Sequence, residues 1–536
     1  MTGWMDHLTI APIILPMLAG AVMMLIDERQ RTLKAVIGMA SALTLLGLAV
    51  LAMTVADQGA AGVRVYRLGD WPANFGIVLV LDRFAALMLV LTGILGVAAL
   101  LFSLPRWQKA GAHFHSLFQF QLMGLNGAFL TGDLFNLFVF FEIMLAASYG
   151  LALHGSGIAR VRAGLHYIAI NLAASLLFLI GVSMIYGISG TLNMADLGSR
   201  VAGMAAEDRG MLEAGAAILG VAFLIKAGMW PLGFWLPNTY STLGAASAAI
   251  VSILSKVGVY AVLRLWLLVF GDAAGASSDF GGTVLLVGGL ATIGFGSIAV
   301  LATQNMARLA GASVLVSSGT LLAAIGTGQL SVTGGALYYL SSSVLAVAGF
   351  FLVVELVERG RAVGADVLAV TREAYGEGDD EDSDDGGAGV AIPATMAILG
   401  IGFMSSALLL AGLPPLSGFL AKFAILSPLL AASPEVPVTT WVLMAALVLS
   451  GLATVVAMTR AGIDAFWASS QEAPRVRVAE IAPVLLLLSL NVALTVQAEP
   501  AMRYMEDTAK SLHATRDYTG AVKAVARIPG TTGGSQ

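Results

Sequence analysis

The chain has 536 residues, 58% of them apolar and only 11% charged, and its mean hydropathy of +0.87 lies far above that of soluble globular domains. It has no cysteine, which excludes disulfides, thiolate metal sites and iron–sulfur clusters, and its net charge of −5 leaves no nucleic-acid footprint. With apolar runs of about 20 residues recurring along its length, it reads as an all-α polytopic membrane protein.

In chain order the runs fall near 8–27, 33–55, 77–103, 113–131, 133–153, 163–187, 211–242, 243–270, 282–303, 308–328, 333–357, 392–430, 439–460 and 478–497. That predicts about fourteen transmembrane helices. The first run has a weakly charged start and no clear small-residue cleavage site, so it reads as a retained helix. Connections at 104–112, 154–162, 188–210 and 271–281 are too short to hide a soluble domain. The runs 211–242 and 392–430 are too long for one straight span. Pro231 and Pro237 interrupt the first, and Pro414 and Pro415 the second. Each proline lacks an N–H and clashes with the preceding turn, so both runs are expected to be discontinuous helices. The acidic loop 373–387 reads as a solvated linker.

Two five-span units follow from this order, each with its broken helix fourth. Five is odd, so equivalent helices run oppositely and the units are inverted repeats, an architecture of secondary transporters. The domains are then 1–112 (three leading helices), 113–270 (first repeat), 271–460 (second repeat with the acidic loop) and 461–536 (last helix and tail). Lys and Arg crowd one set of alternate loops, with Arg29, Arg31, Lys34, Arg106, Lys109, Arg160 and Arg162 among them. The opposite set has little beyond Arg64, Arg67, Arg200 and Arg209, which puts both termini on the outer face of a bacterial cell membrane. The tail beyond Glu499 carries five basic residues against that bias, so it is expected to lie along the surface or against a partner.

Four charged residues stand inside apolar runs: Glu142, Lys226, Lys256 and Lys422. A charge at the centre of a spanning helix costs roughly 2.5 to 3.5 kcal/mol on insertion scales, so several together call for partners or function. Glu142, in LFNLFVFFEIMLAASYGL, has no cation on its own helix, and Lys226 beside the first break is its candidate partner. Lys256 follows Ser252 and Ser255, whose hydroxyls could line a polar path. Lys422 stands behind Pro414, Pro415 and Ser417, where the break frees carbonyls. A static buried pair or snorkelling to the interface is the bland alternative for these residues. Asp133 reads as a helix cap, Asp82 as an interfacial contact, Arg264 as snorkelling and Glu355 as solvated. No nucleophile–base constellation, metal spacing or phosphate loop is evident, and no cofactor is expected.

Three stretches carry a resemblance: GDLFNLFVFFEIMLAASYGL, KAGMWPLGFWLPNTYSTLGAASAAIVSILSKVGVY and GLPPLSGFLAKF. Together they resemble the proton-translocating antiporter-like subunits, which include the A-type and D-type subunits of Mrp-type sodium/proton antiporters and the large pumping subunits of respiratory complex I. Over roughly 75–460, and in length, the chain is most similar to the D-type Mrp subunits. The resemblance implies that Glu142 is an acidic partner, Lys226 the lysine of the first broken helix, Lys256 a bridging lysine and Lys422 the terminal one. It also implies that the chain works with other membrane subunits, moving protons while sodium or another monovalent cation crosses elsewhere. The alternatives are a pumping subunit of an NADH–quinone reductase and a non-conducting scaffold. One departure matters. Where the family commonly has a central histidine or lysine, this chain has Ser341, Ser342 and Ser343, so an unbroken relay between Lys256 and Lys422 would need hydroxyls and water.

Overall fold

The computed structural model describes residues 4–58, 62–70, 76–359, 394–431, 435–467, 474 and 476–525, so the acidic loop 373–387 lies outside the described residues. The helices are α1 (Ala11–Leu25), α2 (Arg31–Asp57), α3 (Arg83–Ser103), α4 (Phe114–Leu130), α5 (Leu134–Leu153), α6 (Ile158–Ser189) and α7 (Met194–Val201). They continue with α8 (Ala206–Ala227), α9 (Leu236–Thr242), α10 (Ala245–Val251), α11 (Leu254–Phe270), α12 (Gly282–Ala302), α13 (Met306–Ile325) and α14 (Leu330–Glu358). The last are α15 (Ala394–Ala411), α16 (Ser417–Ala431), α17 (Val438–Phe466), α18 (Val478–Val496), α19 (Ala498–His513) and α20 (Thr515–Val525). Among the described residues twelve helices are long and apolar enough to cross a membrane, counting α10 and α11 as one; α1 and α16 are shorter apolar helices. The protein is an all-helical polytopic membrane protein with one addition, the short antiparallel pair β1 (Arg64–Arg67) and β2 (Val78–Leu81), in which Arg64 faces Leu81.

Both proline-marked runs are interrupted. Helix α8 stops at Ala227, Gly228 turns the chain at φ +79°, and α9 resumes at Leu236. Pro231 has no N–H to offer the Ala227 carbonyl four residues earlier, so the ladder ends there. Pro415 does the same to Ala411, the last residue of α15, with Gly412 at φ +73°. A further interruption has no proline signal. The span expected at 243–270 divides at Ser252 and Ile253, where the Lys256 N–H donates to the Ile253 carbonyl at 2.9 Å in a tightened turn.

Helices α11, α13 and α14 are almost wholly buried and form the centre, whereas α2, α6, α12, α15, α17 and α18 turn large apolar side chains outward, as lipid-facing helices do. Gly258 sets the approach of α11 to α8. A Cβ there would lie 2.6 Å from the Ala227 nitrogen and 2.7 Å from the Phe223 carbonyl oxygen.

One end of the bundle gathers both chain ends. His7 Nδ1 lies 3.2 Å from the Tyr66 hydroxyl on β1, and β2 leads into α3. The Tyr504 hydroxyl of α19 donates to the Arg83 carbonyl at 3.0 Å, His513 Nε2 is 3.1 Å from Thr333 Oγ1, and Lys523 of α20 donates to Ser199 at 2.6 Å. The amphipathic tail therefore lies across the ends of α3, α7 and α14. Burial holds the His513 imidazole below its ordinary range, with Asp272 opposing.

Gly258→Val should force α8 and α11 apart and lower stability by about 1 to 3 kcal/mol, seen as a lower melting midpoint of the detergent-purified protein. A histidine buried neutral binds its proton more readily in the undocked tail, so docking is undiminished above pH ~6.5 and weakens as pH falls below it. Limited proteolysis of α19 and α20 should accelerate between pH 7.5 and 5.5 in the wild type, and far less so in His513→Gln.

Candidate functional site

Mid-bundle positions hold all four charged residues. Glu142 is half-buried on α5, and its carboxylate accepts a hydrogen bond from Ser175 of α6. Lys226 is 4% exposed and sits one residue before the end of α8. Its Nζ lies 5.2 Å from the centre of the Phe141 ring, the residue beside Glu142, and has no hydrogen-bond partner. Glu142 is within electrostatic reach, but no ion pair joins the two. The structure thus brings the expected partners to one place with the carboxylate held by a serine and the ammonium over a ring. Cation–π contact of this kind is worth on the order of 1 to 2 kcal/mol when desolvated.

Lys256, 2% exposed, donates to Ser318 on α13 at 3.1 Å. The serines expected to accompany it do not. Ser252 donates to the Ala249 carbonyl and Ser255 to the Ser252 carbonyl, each to the backbone three residues earlier, because a hydroxyl in or beside a helix readily bonds back to the preceding turn. Lys422, 9% exposed, donates to the Ala411 carbonyl at 2.8 Å, the oxygen that Pro415 leaves without a backbone donor. The proline break thus supplies the acceptor for the second buried lysine.

Between Lys256 and Lys422 the hydroxyls of three helices meet. Ser317, next to Ser318, donates to Ser343 of α14 at 3.0 Å. Ser342 and Ser417 lie 2.9 Å apart, and Asn491 Oδ1 of α18 is 3.2 Å from the first and 3.1 Å from the second. A cavity of about 20 Å³ opens here, lined by Ser313, Ser317, Tyr339, Ser342, Ser343 and Thr454 among others. That is room for about one water molecule. Ser341 is not part of the group, since its hydroxyl bonds the Leu337 carbonyl of its own helix. Ser317, Ser318 and Asn491 were not legible as site residues. A serine inside an apolar helix is common, and Asn491 lies far along the chain on the last span.

Toward the end of the bundle opposite the chain termini, the Trp235 ring stacks on Tyr167 at 5.3 Å, and Tyr167 shares a 2.7 Å hydrogen bond with Ser148. At that end Glu355 is not solvated. Its carboxylate accepts from Trp107 Nε1 at 2.7 Å, from the Ala245 N–H of α10 at 3.0 Å and from Arg359 at 2.6 Å. Arg359 also reaches Glu480 at the start of α18 at 2.6 Å.

Residues 131–450 match the family model described as the transmembrane region of NADH:quinone oxidoreductase and Mrp antiporters. The chain belongs to that family. The matched region contains Glu142, Lys226, Lys256, Lys422 and both broken helices, while Asn491 lies beyond it. The chain is 58% identical to the D subunit of a probable K(+)/H(+) antiporter of Rhizobium meliloti (strain 1021) over 536 residues, 98% of this chain and 99% of that one. It is 35% identical to the D subunit of the Na(+)/H(+) antiporter of Alkalihalophilus pseudofirmus over 507 residues, 93% and 96% of the two chains. Among solved structures, a chain of the Mrp complex from Dietzia sp. DQ12-45-1b superposes with a TM-score of 0.81 at 25% identity, covering 96% of this chain and 99% of that one. Family membership thus agrees with the resemblance carried by the three sequence stretches.

Asn491→Leu removes the acceptor that ties α14 and α16 to α18. It should lower the melting midpoint of the purified protein by the equivalent of about 1 to 2 kcal/mol, whereas Ser341→Ala should leave it unchanged.

Proposed function

We propose that this chain is the D-type, proton-carrying subunit of a multisubunit antiporter that exchanges protons for a monovalent cation across a bacterial cell membrane. The observation that carries this reading is the alignment of three buried lysines with a carboxylate at one end and hydroxyls between the second and third. The end-to-end likeness to D-type antiporter subunits supports it. A buried ammonium without a fixed carboxylate partner is costly, and a group that can lose its proton escapes that cost.

In this reading α1 and α4 are two further crossings, which with the twelve long spans make fourteen, while α9 and α16 complete the crossings begun by α8 and α15. Residues 113–270 and 271–460 are then inverted repeats, each with its broken helix fourth. An even count agrees with the N-terminal turn and the tail sharing one end, which the loop charges make the outer face. The Glu142 carboxylate attracts the Lys226 ammonium. When the carboxylate is drawn away, Lys226 passes a proton to Lys256. From there Ser318, Ser317, Ser343 and one trapped water hand it on toward Ser342, Ser417 and Lys422. Each hydroxyl accepts one proton as it gives up another, so no serine need hold charge. Moving one charge is worth about 2.3 kcal/mol per 100 mV, enough for a few protons to drive one cation outward. The cation crosses elsewhere in the assembly. Because the relatives are named for potassium in one case and sodium in another, both ions are candidates.

The test is cation-driven proton exchange in everted vesicles carrying the assembled complex, with sodium and potassium compared. Glu142→Gln, Lys226→Ala, Lys256→Ala and Lys422→Ala should each lower exchange by at least about tenfold while the subunits still co-purify. Full exchange with all three lysines replaced would make the chain a scaffold.

A further inference from the structure

A second buried charge cluster lies on the helix that carries Lys256, and the relay does not use it. Lys256, Tyr260 and Arg264 follow one another at four-residue intervals on α11, so they share a face running from mid-bundle to the end that holds the tail. From Lys256 to Arg264 is roughly 12 Å along the axis. Arg264 is 7% exposed and makes a two-pronged ion pair with Asp82, which is 3% exposed and also caps α3 by accepting from the Ala85 N–H. Its Nη2 donates to the Tyr260 hydroxyl at 2.9 Å, and that hydroxyl donates to the Phe129 carbonyl at 2.6 Å. Three rings enclose the guanidinium: Tyr260 at 5.3 Å, Phe84 at 5.5 Å and, from α20, Tyr518 at 5.3 Å. Tyr518 is itself 6% exposed, so the tail closes the cluster from outside.

We propose that the Asp82–Arg264 pair, roofed by Tyr518, is the outer gate of the lysine path, through which protons from the outer face reach Lys256. The inference rests on the relay reading above. A guanidinium does not give up its proton, so Arg264 relays nothing itself, and in the closed arrangement the ion pair and the rings around it fill the passage and exclude water. Asp82 is the movable part. A proton gained by the Asp82 carboxylate from outer water neutralises that carboxylate and dissolves its pairing with Arg264. Transfer of the same proton from Asp82 to the neutral Lys256 amine restores the pair and closes the gate. The amphipathic tail acts as the roof, which accounts for a basic segment held against the outer end instead of standing free.

The experiment uses the assembled complex in everted vesicles and reads two quantities: cation-driven exchange, and decay of an imposed pH gradient with no transported cation present. Tyr518→Ala opens the roof and Tyr260→Phe removes one hydroxyl bond to Arg264, both leaving the ion pair in place. Each should raise the cation-independent decay, Tyr518→Ala by at least about fivefold. Adding Lys256→Ala to either should return the decay to the wild-type rate, an effect that a merely structural loosening would not produce. Unchanged decay in both tyrosine variants overturns the gate, and the relay still stands if Lys256→Ala abolishes exchange. Decay that persists without Lys256 also overturns the gate, because the leak then follows another path. Exchange that survives Lys256→Ala overturns the relay itself, whatever the tyrosine variants do.

Discussion

Everything in this protein depends on holding three ammonium groups away from water inside an apolar bundle. Each is met differently, and each solution shapes the helices around it. Lys226 ends its helix over an aromatic face, Lys256 reaches a serine on the next central helix, and Lys422 takes a carbonyl that the proline four residues later leaves without a donor. The broken helices are thus the source of the polar groups as well as interruptions in a span. Among the described residues, none of these three lysines is joined to a carboxylate by an ion pair.

Helices in the second half of the chain meet through small hydroxyls instead of a titrating side chain. Ser343, Ser342 and Ser417 bring α13, α14 and α16 together, and Asn491 draws in the last span. In an apolar environment such contacts double as packing, since small polar residues let helices approach while satisfying one another. The same atoms pack the helices together and line a cavity with room for about one water.

The ends of the bundle are built from charge pairs of a different kind. At one, Glu355 gathers Trp107, Arg359 and the start of α10 into a bracket. At the other, Asp82 and Arg264 are sealed under the tail. Both pairs are satisfied inside the protein, and they bracket the lysines at the two ends of the bundle. Asp82 was readable only as an interfacial contact and Arg264 only as snorkelling. Their pairing joins residues 182 positions apart on α3 and α11, a distance at which local hydropathy carries no information.

Sequence alone determined the class of this protein, its long apolar helices, both proline breaks and the four charges set within apolar runs. Each of those is a local property, set by apolar run length, by a missing N–H or by the cost of a charge in lipid. It also placed the Asp133 cap, whose carboxylate accepts from the Asn136 N–H at 2.8 Å. Only the tertiary structure decided which neighbours the charges use. It turned Ser252, Ser255 and Ser341 back to carbonyls three or four residues earlier, chose Ser318 for Lys256, and recruited Asn491 from the last long span. The reason is directional. A helical hydroxyl has a backbone acceptor always within reach, and whether it points across to another helix depends on how closely that helix packs, which no single segment specifies.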